Sequence, residues 1–333
     1  MVFHLFKKWP CCKKRADLRI SKLPLGLGVT HPSSPSSSLP LSLSALRRDI
    51  DSPAGRISLY SAEPEGDANG LPPLLLIHSI NATASAAELE PLFSHYRQQR
   101  PVYAIELPGF GFSDRSARPY TPRLMTDALH AALAFIQSEH GGEVADVLAV
   151  SLSSEFAARA KFEAPHSLRR LALVSPTGFS GKKLRYGPAN GTLGLPWLHR
   201  LLSLGIWRQG IFNTLTRPSV IRYFLKGAWG SENIDETFWR YSILTSKQPG
   251  AANAPFYFVS AFLFSTDINR LYEELNGPVW VSMATRGDFT DYRGRHTVED
   301  KTNWQFVAVE GGALPFFEDL TSFTKKLDPH WDS

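Results

Sequence analysis

Four short apolar runs in the first half of the chain alternate with longer segments of helical composition. The runs cover residues 74–77, 102–105, 147–150 and 171–174, and the segments 84–98, 121–139 and 152–164 predict helices. A continuous apolar run of this length is typical of a strand that is buried on both faces of a sheet. The alternation therefore predicts an α/β fold, with a mostly parallel central sheet and helices on both faces.

The alternation stops after Ser175 and resumes about ninety residues later. Residues 179–267 show helical pieces without a clear strand, and they hold 16 of the chain's 39 aromatic residues. This enrichment predicts a helical insertion with an apolar face of its own. Strands are predicted again at 279–283 and 306–309, and a terminal helix is predicted at 315–327.

These elements divide the chain into four predicted parts. They are a basic, Ser/Pro-rich tail at 1–44, a first core part at 45–178, a helical cap at 179–268 and a second core part at 269–333. The first core part opens with a predicted hairpin, in which residues 47–50 pair with residues 56–60.

The excess of positive charge lies in the first 19 residues. This segment has six Lys or Arg and one Asp, a net charge of +5, which equals the net charge of the whole chain. The remaining residues are neutral overall, so the composition does not indicate a nucleic-acid partner. We expect the tail to be disordered, and a weak contact with an anionic membrane surface is the alternative role.

The cysteines indicate the compartment. Cys11 and Cys12 are the only two, and both lie in the tail, where they could be acylated. We therefore expect a body without disulfides and a cytoplasmic location. No apolar run reaches the roughly 18 residues that a membrane-spanning helix needs.

Residues 145–160 place a serine directly between a predicted strand and a predicted helix. The apolar run ends at Val150, Ser151 follows, and an alanine-rich helical segment begins at once. The side chain of such a sharply bent residue stands at the carboxyl edge of the sheet. This is the geometry of a nucleophile elbow, G-x-S-x-G, with Ala149 and Ser153 at the two glycine positions. Ordinary strand–helix packing gives the same pattern, so the elbow alone does not define a site.

Four landmarks in sequence order make the chain resemble the α/β-hydrolase superfamily, from about residue 47 to residue 326. Residues 75–81 (LLIHSIN) match the family's strand that ends in His-Gly-x, and residues 106–113 (ELPGFGFS) match its Asp-x-Pro-Gly-x-Gly-x-Ser loop. Ser151 is the elbow serine, and the helical insertion lies where the family inserts its cap. A phosphate loop is the alternative for residues 106–113, but no helix opens there and no Lys-Ser/Thr pair follows.

The resemblance implies acyl transfer by a serine nucleophile, a histidine base and a carboxylate that orients the base. Ser151 is then the nucleophile, and the backbone N–H groups of Leu152 and Ile80 form the oxyanion hole. The acid follows the strand at 279–283, where Asp288 is the first candidate and Asp291 the second. An aspartate in a glycine-containing turn is the structural alternative for Asp288.

The histidine is absent from its expected position. The family's Gly-x-Gly-His-x-Pro-x-x-Glu segment corresponds to residues 310–318, which place Ala313 where the histidine belongs. His330 is the only later histidine and follows the last helix. His78 and His296 are the candidate substitute bases, although a packed histidine at a strand end is the more common role for a residue like His78.

Two functions are therefore open. The first is a serine hydrolase that cleaves esters or related acyl groups of a small apolar substrate, with activity that is weak or lost. The second is an inactive homologue that binds a ligand or a protein partner in the former active-site cleft. Neither needs a cofactor, and no metal-ligand spacing is present. The sequence assigns no substrate identity and no oligomeric state.

Overall fold

The structure, a computed structural model, describes residues 39–64, 70–181 and 183–332. The chain divides into two units, Met1–Pro40 and Leu41–Ser333. The fold described below is that of the second unit. The predictions for the basic tail and its two cysteines fall on residues 1–38 and lie outside the described residues.

An eight-stranded sheet forms the centre of the molecule, in the order β1-β2-β4-β3-β5-β6-β7-β8. β1 and β2 form the predicted hairpin, β2 pairs antiparallel with β4, and the other neighbours pair in parallel. The described strands are β1 Leu46–Ser52, β2 Gly55–Ala62, β3 Leu74–Ile77, β4 Val102–Glu106, β5 Asp146–Val150, β6 Leu171–Val174, β7 Val279–Ala284 and β8 Trp304–Val309.

Helices connect the parallel strands and fill the insertion between β6 and β7. The described α-helices are α1 Glu90–Tyr96, α2 Pro122–Glu139, α3 Ser153–Glu163, α4 Pro196–Leu202, α5 Arg208–Leu215, α6 Pro218–Trp229, α7 Glu236–Thr245, α8 Asn253–Val259, α9 Ile268–Glu274 and α10 Leu320–Asp332. Short 3-10 helices occupy Ala86–Leu89, Arg293–Thr297 and Pro315–Phe317. The predicted helix at 84–98 is thus a 3-10 turn followed by a short α-helix, and the last helix runs beyond residue 327.

The expected α/β architecture is confirmed, because the central sheet is mostly parallel and carries helices. Strands β3, β5 and β6 are buried along their whole length, as their continuous apolar runs predicted. Parallel strands end at one edge of the sheet, so the segments that follow β3, β5, β7 and β8 are brought to the same side. None of the described helices is both long enough and apolar enough to cross a membrane.

Two buried ion pairs fix the ends of the insertion to α3. Arg185 donates to Glu155 at 2.5 Å, and Arg159 donates to Asp267 at 2.6 Å. Glu155 and Arg159 lie four residues apart on α3, so they share one face of the helix. The helix that follows Ser151 therefore holds both the entry and the exit of the insertion, through charges that are stable in the interior only because they are paired.

Candidate active site

Ser151 adopts the strained turn that an elbow requires. Its φ is +56°, in the left-handed region, which costs a non-glycine residue about 1–2 kcal/mol. The Ser151 N–H donates to the carbonyl of Val174 on the neighbouring strand at 2.8 Å, and the Ser151 carbonyl accepts from the N–H of Ser154 at 3.2 Å. These two backbone hydrogen bonds fix the turn. The Ser151 side chain is partly exposed.

The residues at the two glycine positions of the elbow motif fit closely. Ala149 is fully buried in β5, and Ser153 is fully buried at the start of α3. The Ser153 hydroxyl donates to the carbonyl of His78 at 2.5 Å. A serine at this position therefore ties the elbow to the end of β3, a contact that a glycine could not make.

The backbone N–H groups of Leu152 and Ile80 are the expected oxyanion-hole donors. Neither N–H donates to any acceptor within the described ranges, although Leu152 is 1% exposed and Ile80 is 4% exposed. Buried N–H groups normally have a partner, so two that lack one beside a serine elbow are suited to an incoming oxygen. The hydrogen bond from the Ser153 hydroxyl to the His78 carbonyl joins the two segments that carry these N–H groups.

A buried carboxyl group supports the oxyanion segment. The Ser79 N–H donates to Glu88 at 2.7 Å and the Ser79 hydroxyl donates to the same carboxyl group at 2.6 Å, one residue before Ile80. Burial raises the pKa of Glu88 to about 7, against the two hydrogen bonds from Ser79, which lower it. Glu88 is not among the residues predicted from the sequence, where its only signal is a single carboxylate among the apolar residues 86–89.

His78 is engaged on both sides of its ring. The Leu107 N–H donates to Nε2 at 3.1 Å, so Nε2 carries no proton and Nδ1 donates to the Ser79 carbonyl at 2.6 Å. Burial lowers the pKa of His78 to about 4. In this arrangement the imidazole is neutral and neither nitrogen is available to take a proton from Ser151.

The glycine-rich loop after β4 closes around a carboxylate. The Phe112 N–H donates to Glu106, and a Cβ on Gly111 would lie 1.8 Å from the Glu106 carboxyl carbon. Burial raises the pKa of Glu106. A carboxyl group at the centre of the loop takes the place that a bound phosphate would need, so the loop serves the fold and not an anion site.

The segments that follow β7 and β8 lie next to each other. The Thr285 and Arg286 N–H groups donate to the Gly311 carbonyl at 3.1 and 3.2 Å. The structure thus brings the loop of Asp288 together with the loop of Ala313, which are the acid and histidine loops of the resemblance.

The C-terminal end of α6 is inserted against both of these loops. The Gly227 carbonyl accepts from the Asp288 N–H at 3.1 Å, and the next carbonyl, that of Ala228, accepts from the Ala313 N–H at 2.8 Å. The last carbonyls of a helix have no partner within the helix, so these loops cap it. The fit is tight, because a Cβ on Gly312 would lie 2.3 Å from the Trp229 carbonyl oxygen.

The remaining candidates lie outside this arrangement. Asp291 is paired with Arg293, which holds the pKa of its carboxyl group well below the usual range, and it also accepts from Ser180. His296 is exposed on the 3-10 helix and bonds the Arg293 carbonyl through Nδ1. His330 is buried in α10. Among the described residues, no group of three or more His, Cys, Asp or Glu could hold a metal ion.

Comparison with known proteins agrees with the architecture. The model of a family described as having the alpha/beta hydrolase fold matches residues 72–215. The chain is an α/β-hydrolase-fold protein. The match begins before β3 and ends within the insertion, so it spans the oxyanion segment and the elbow. None of the curated proteins compared with the chain matches it.

Solved structures resemble this α/β-hydrolase-fold protein over most of its length. A probable hydrolytic enzyme from Pseudomonas aeruginosa is 17% identical with a TM-score of 0.67, covering 88% of this chain and 96% of its own. An enol-lactonase from Burkholderia xenovorans is 13% identical with a TM-score of 0.64, covering 86% and 100%. A serine hydrolase involved in carbazole degradation is 10% identical with a TM-score of 0.65, covering 87% and 99%. At these identities the likeness shows the shared fold.

Proposed function

We propose that Ser151 is the nucleophile of a serine-hydrolase-type reaction on small apolar esters or related acyl compounds, and that the missing histidine makes this reaction slow. The observation that carries the proposal is the strained Ser151 turn beside two buried N–H groups that have no acceptor among the described residues. Strain of this kind persists where a side chain must be presented in one fixed orientation. The hydrolase-fold neighbours support a hydrolytic reaction class.

Acylation needs three events at this site. The Ser151 oxygen bonds to the acyl carbon, the carbonyl oxygen becomes an oxyanion that accepts from the Leu152 and Ile80 N–H groups, and the bond to the leaving group breaks. The serine proton must pass to the leaving group, and in the absence of a histidine we propose that a water molecule held by Asp288 carries it. Water then hydrolyses the acyl-serine and releases the acid.

The missing base affects the second half of the reaction as well. An oxyanion hole and binding alone leave about 10³-fold catalysis over water when a triad member is lost. Attack by water on the acyl-serine also needs a base, so the acyl group should remain on Ser151 long enough to be detected. The aromatic content of the insertion supports an apolar acyl group, and the placement of both cysteines in the tail supports a cytoplasmic setting.

A second candidate is favoured by the end of α6. Its carbonyls accept hydrogen bonds from the N–H groups of both Asp288 and Ala313, so the helix holds the acid and histidine loops. This arrangement suits a protein that binds a carboxylate or ester oxygen at the two free N–H groups and does not turn it over. The same cleft would then bind a ligand or a partner segment.

Reaction with p-nitrophenyl butyrate separates the two candidates. For the hydrolase, we expect slow release of p-nitrophenol, labelling by a fluorophosphonate, and a butyryl group on the peptide that contains Ser151 by mass spectrometry. Ser151→Ala should abolish all three, whereas Ser154→Ala, which removes a neighbouring hydroxyl from α3, should keep them. Absence of acyl-enzyme and labelling in the folded wild type, with butyrate binding retained in Ser151→Ala, would assign the site to binding alone.

A further inference from the structure

Helix α4 and the turn that joins it to α5 carry an unusual group of exposed apolar side chains. We call it the apolar ridge, and its members are Trp197, Leu201, Leu204, Ile206 and Trp207. Ile206 is 85% exposed and Trp197 is 61% exposed. Isolated exposed apolar residues are ordinary, but a contiguous group of this size marks an interaction surface.

The ridge is a defined surface of the fold. Trp197 and Leu201 lie one helical turn apart on α4, and the Trp207 ring N–H donates to the Leu201 carbonyl at 2.8 Å. The opposite face of the same segment is packed, because Leu202 and Phe212 are buried in a cluster with Ala251, Ala252 and Phe256. The exposed side chains therefore project from a scaffold that the cap interior supports.

The part of the sequence that contains the ridge is basic. No Asp or Glu occurs between Glu163 and Glu232, whereas residues 179–231 contain eight Lys or Arg. Arg200, on α4, and Arg217, at the start of α6, are exposed and form no ion pair with any described residue. Arg185, Arg222 and Lys226 are paired with glutamates, so Arg200 and Arg217 carry the argument. Exposed apolar side chains on a segment with such arginines complement a surface that is anionic and has an apolar interior beneath.

We propose that the apolar ridge docks on the surface of an anionic lipid bilayer. Trp, Leu and Ile side chains insert at the level of the headgroups, where tryptophan is enriched, while the arginines contact lipid phosphates and carboxylates. A second copy of the chain is disfavoured as occupant, because it would bring two positively charged faces together. The docking does not depend on whether Ser151 turns over a substrate.

Cosedimentation of the full chain with vesicles tests the proposal. The probes are vesicles of phosphatidylcholine alone and of phosphatidylcholine with 30% phosphatidylserine, a composition chosen to carry anionic charge. We expect binding to the anionic vesicles, reduced about 10-fold by Ile206→Ser and about five-fold by Arg200→Gln. The matched controls are Leu46→Ser on β1, a leucine that is 59% exposed, and Lys325→Gln on α10, an exposed lysine, and both should bind as the wild type does.

Other outcomes would overturn the proposal. Equal binding of wild type and Ile206→Ser means that the ridge is not the contact, and loss of binding only when Lys7, Lys8, Lys13 and Lys14 are changed to Gln assigns it to the tail. A dimer in sedimentation velocity that Ile206→Ser dissociates would assign the ridge to a second copy. Because the substituted side chains are exposed, an unchanged thermal unfolding midpoint will verify that each variant is folded.

Discussion

The two halves of the candidate site differ in how their backbone N–H groups are bonded. On the nucleophile side, Ser151 holds the strained turn, and the N–H groups of Leu152 and Ile80 find no acceptor in the part of the chain that the structure describes. On the side of the acid and histidine loops, the N–H groups of Asp288 and Ala313 are both bonded to the end of α6. Under the proposed function, one half receives the substrate oxygen, whereas the other half holds the end of a helix.

The two halves also differ in how they are joined to the rest of the fold. The elbow is built into strand and helix, with a serine hydroxyl joining it to β3, so altering it would disturb the core. The loop of Ala313 is also held in the interior, because residues 311–316 are buried and the Ala313 N–H donates to the Ala228 carbonyl at 2.8 Å. Packing therefore fixes both halves, the nucleophile side through a strand and a helix and the other side through the end of α6.

Placing a histidine at residue 313 should give the largest effect, because it would supply the base that this half of the site lacks. We expect Ala313→His to raise hydrolysis of p-nitrophenyl butyrate on the order of 10³-fold, because a positioned general base contributes about 10²–10⁴-fold. The end of α6 should raise the pKa of the new imidazole, since cations are stabilised at a helix C-terminus. Rates at several pH values would measure both effects.

Two variants control that experiment. Ala313→Asn introduces a side chain of comparable polarity without a base and should leave the rate unchanged. Adding Ser151→Ala or Asp288→Asn to Ala313→His should remove the gain. A folded Ala313→His protein without increased activity would contradict either the assignment of Ala313 or that of Ser151.

The sequence predicted the nucleophile side better than the other side. Buried strands are recognisable as continuous apolar runs, and the elbow lies within one local segment, so Ser151 and the strand boundaries around it followed from residues 145–160. The assignment of Ala313 to the histidine position rests on the spacing of the flanking glycines and Pro315, and it stays a prediction. The role of Asp288 stays a prediction.

Long-range contacts could not be predicted in the same way. The pairing of α6 carbonyls with the Asp288 and Ala313 N–H groups joins residues that are about 60 to 85 positions apart and involves only backbone atoms. Backbone hydrogen bonds leave no side-chain signature, apart from glycines such as Gly227 and Gly312 where chains approach closely. Similarly, the two hydrogen bonds from Ser79 to Glu88 join residues of different elements, so only the folded structure shows them.

The buried carboxyl group of Glu88, on the nucleophile side, should make the free energy of unfolding depend on pH. Its pKa is raised to about 7 in the folded protein from 4.5, so the folded state binds the proton more tightly than the unfolded state. That contribution to stability is complete below about pH 4.5 and is lost as the pH rises through 7. The shift corresponds to about 3.5 kcal/mol at most, since one pKa unit is about 1.4 kcal/mol.

The variant Glu88→Gln should abolish this pH dependence. Glutamine resembles the protonated acid, so the free energy of unfolding of the variant should rise relative to wild type by about 2–3 kcal/mol between pH 4.5 and pH 8. Urea unfolding at intervals of one pH unit would measure it. The opposite contribution of His78, whose pKa is lowered to about 4, is present in both proteins and cancels in the difference. A pH-independent difference would mean that Glu88 is not protonated near neutrality.

Tight packing of α6 on the histidine loop gives the smallest expected effect and tests the other half of the site. A Cβ at residue 312 would lie 2.3 Å from the Trp229 carbonyl oxygen, and backbone cannot move aside as a side chain can. We expect Gly312→Ala to lower the free energy of unfolding by about 2 kcal/mol, within the range for overpacking.

The matched control for this variant is Gly210→Ala in α5. A Cβ there meets nothing within 4 Å, and alanine favours a helix over glycine by about 1 kcal/mol, so this substitution should stabilise the protein. Urea unfolding of both variants at one pH gives the comparison directly. Equal stability of Gly312→Ala and wild type would show that α6 does not press on the histidine loop. The loop would then be free to move, and the slow step of the proposed reaction would depend on the missing imidazole alone.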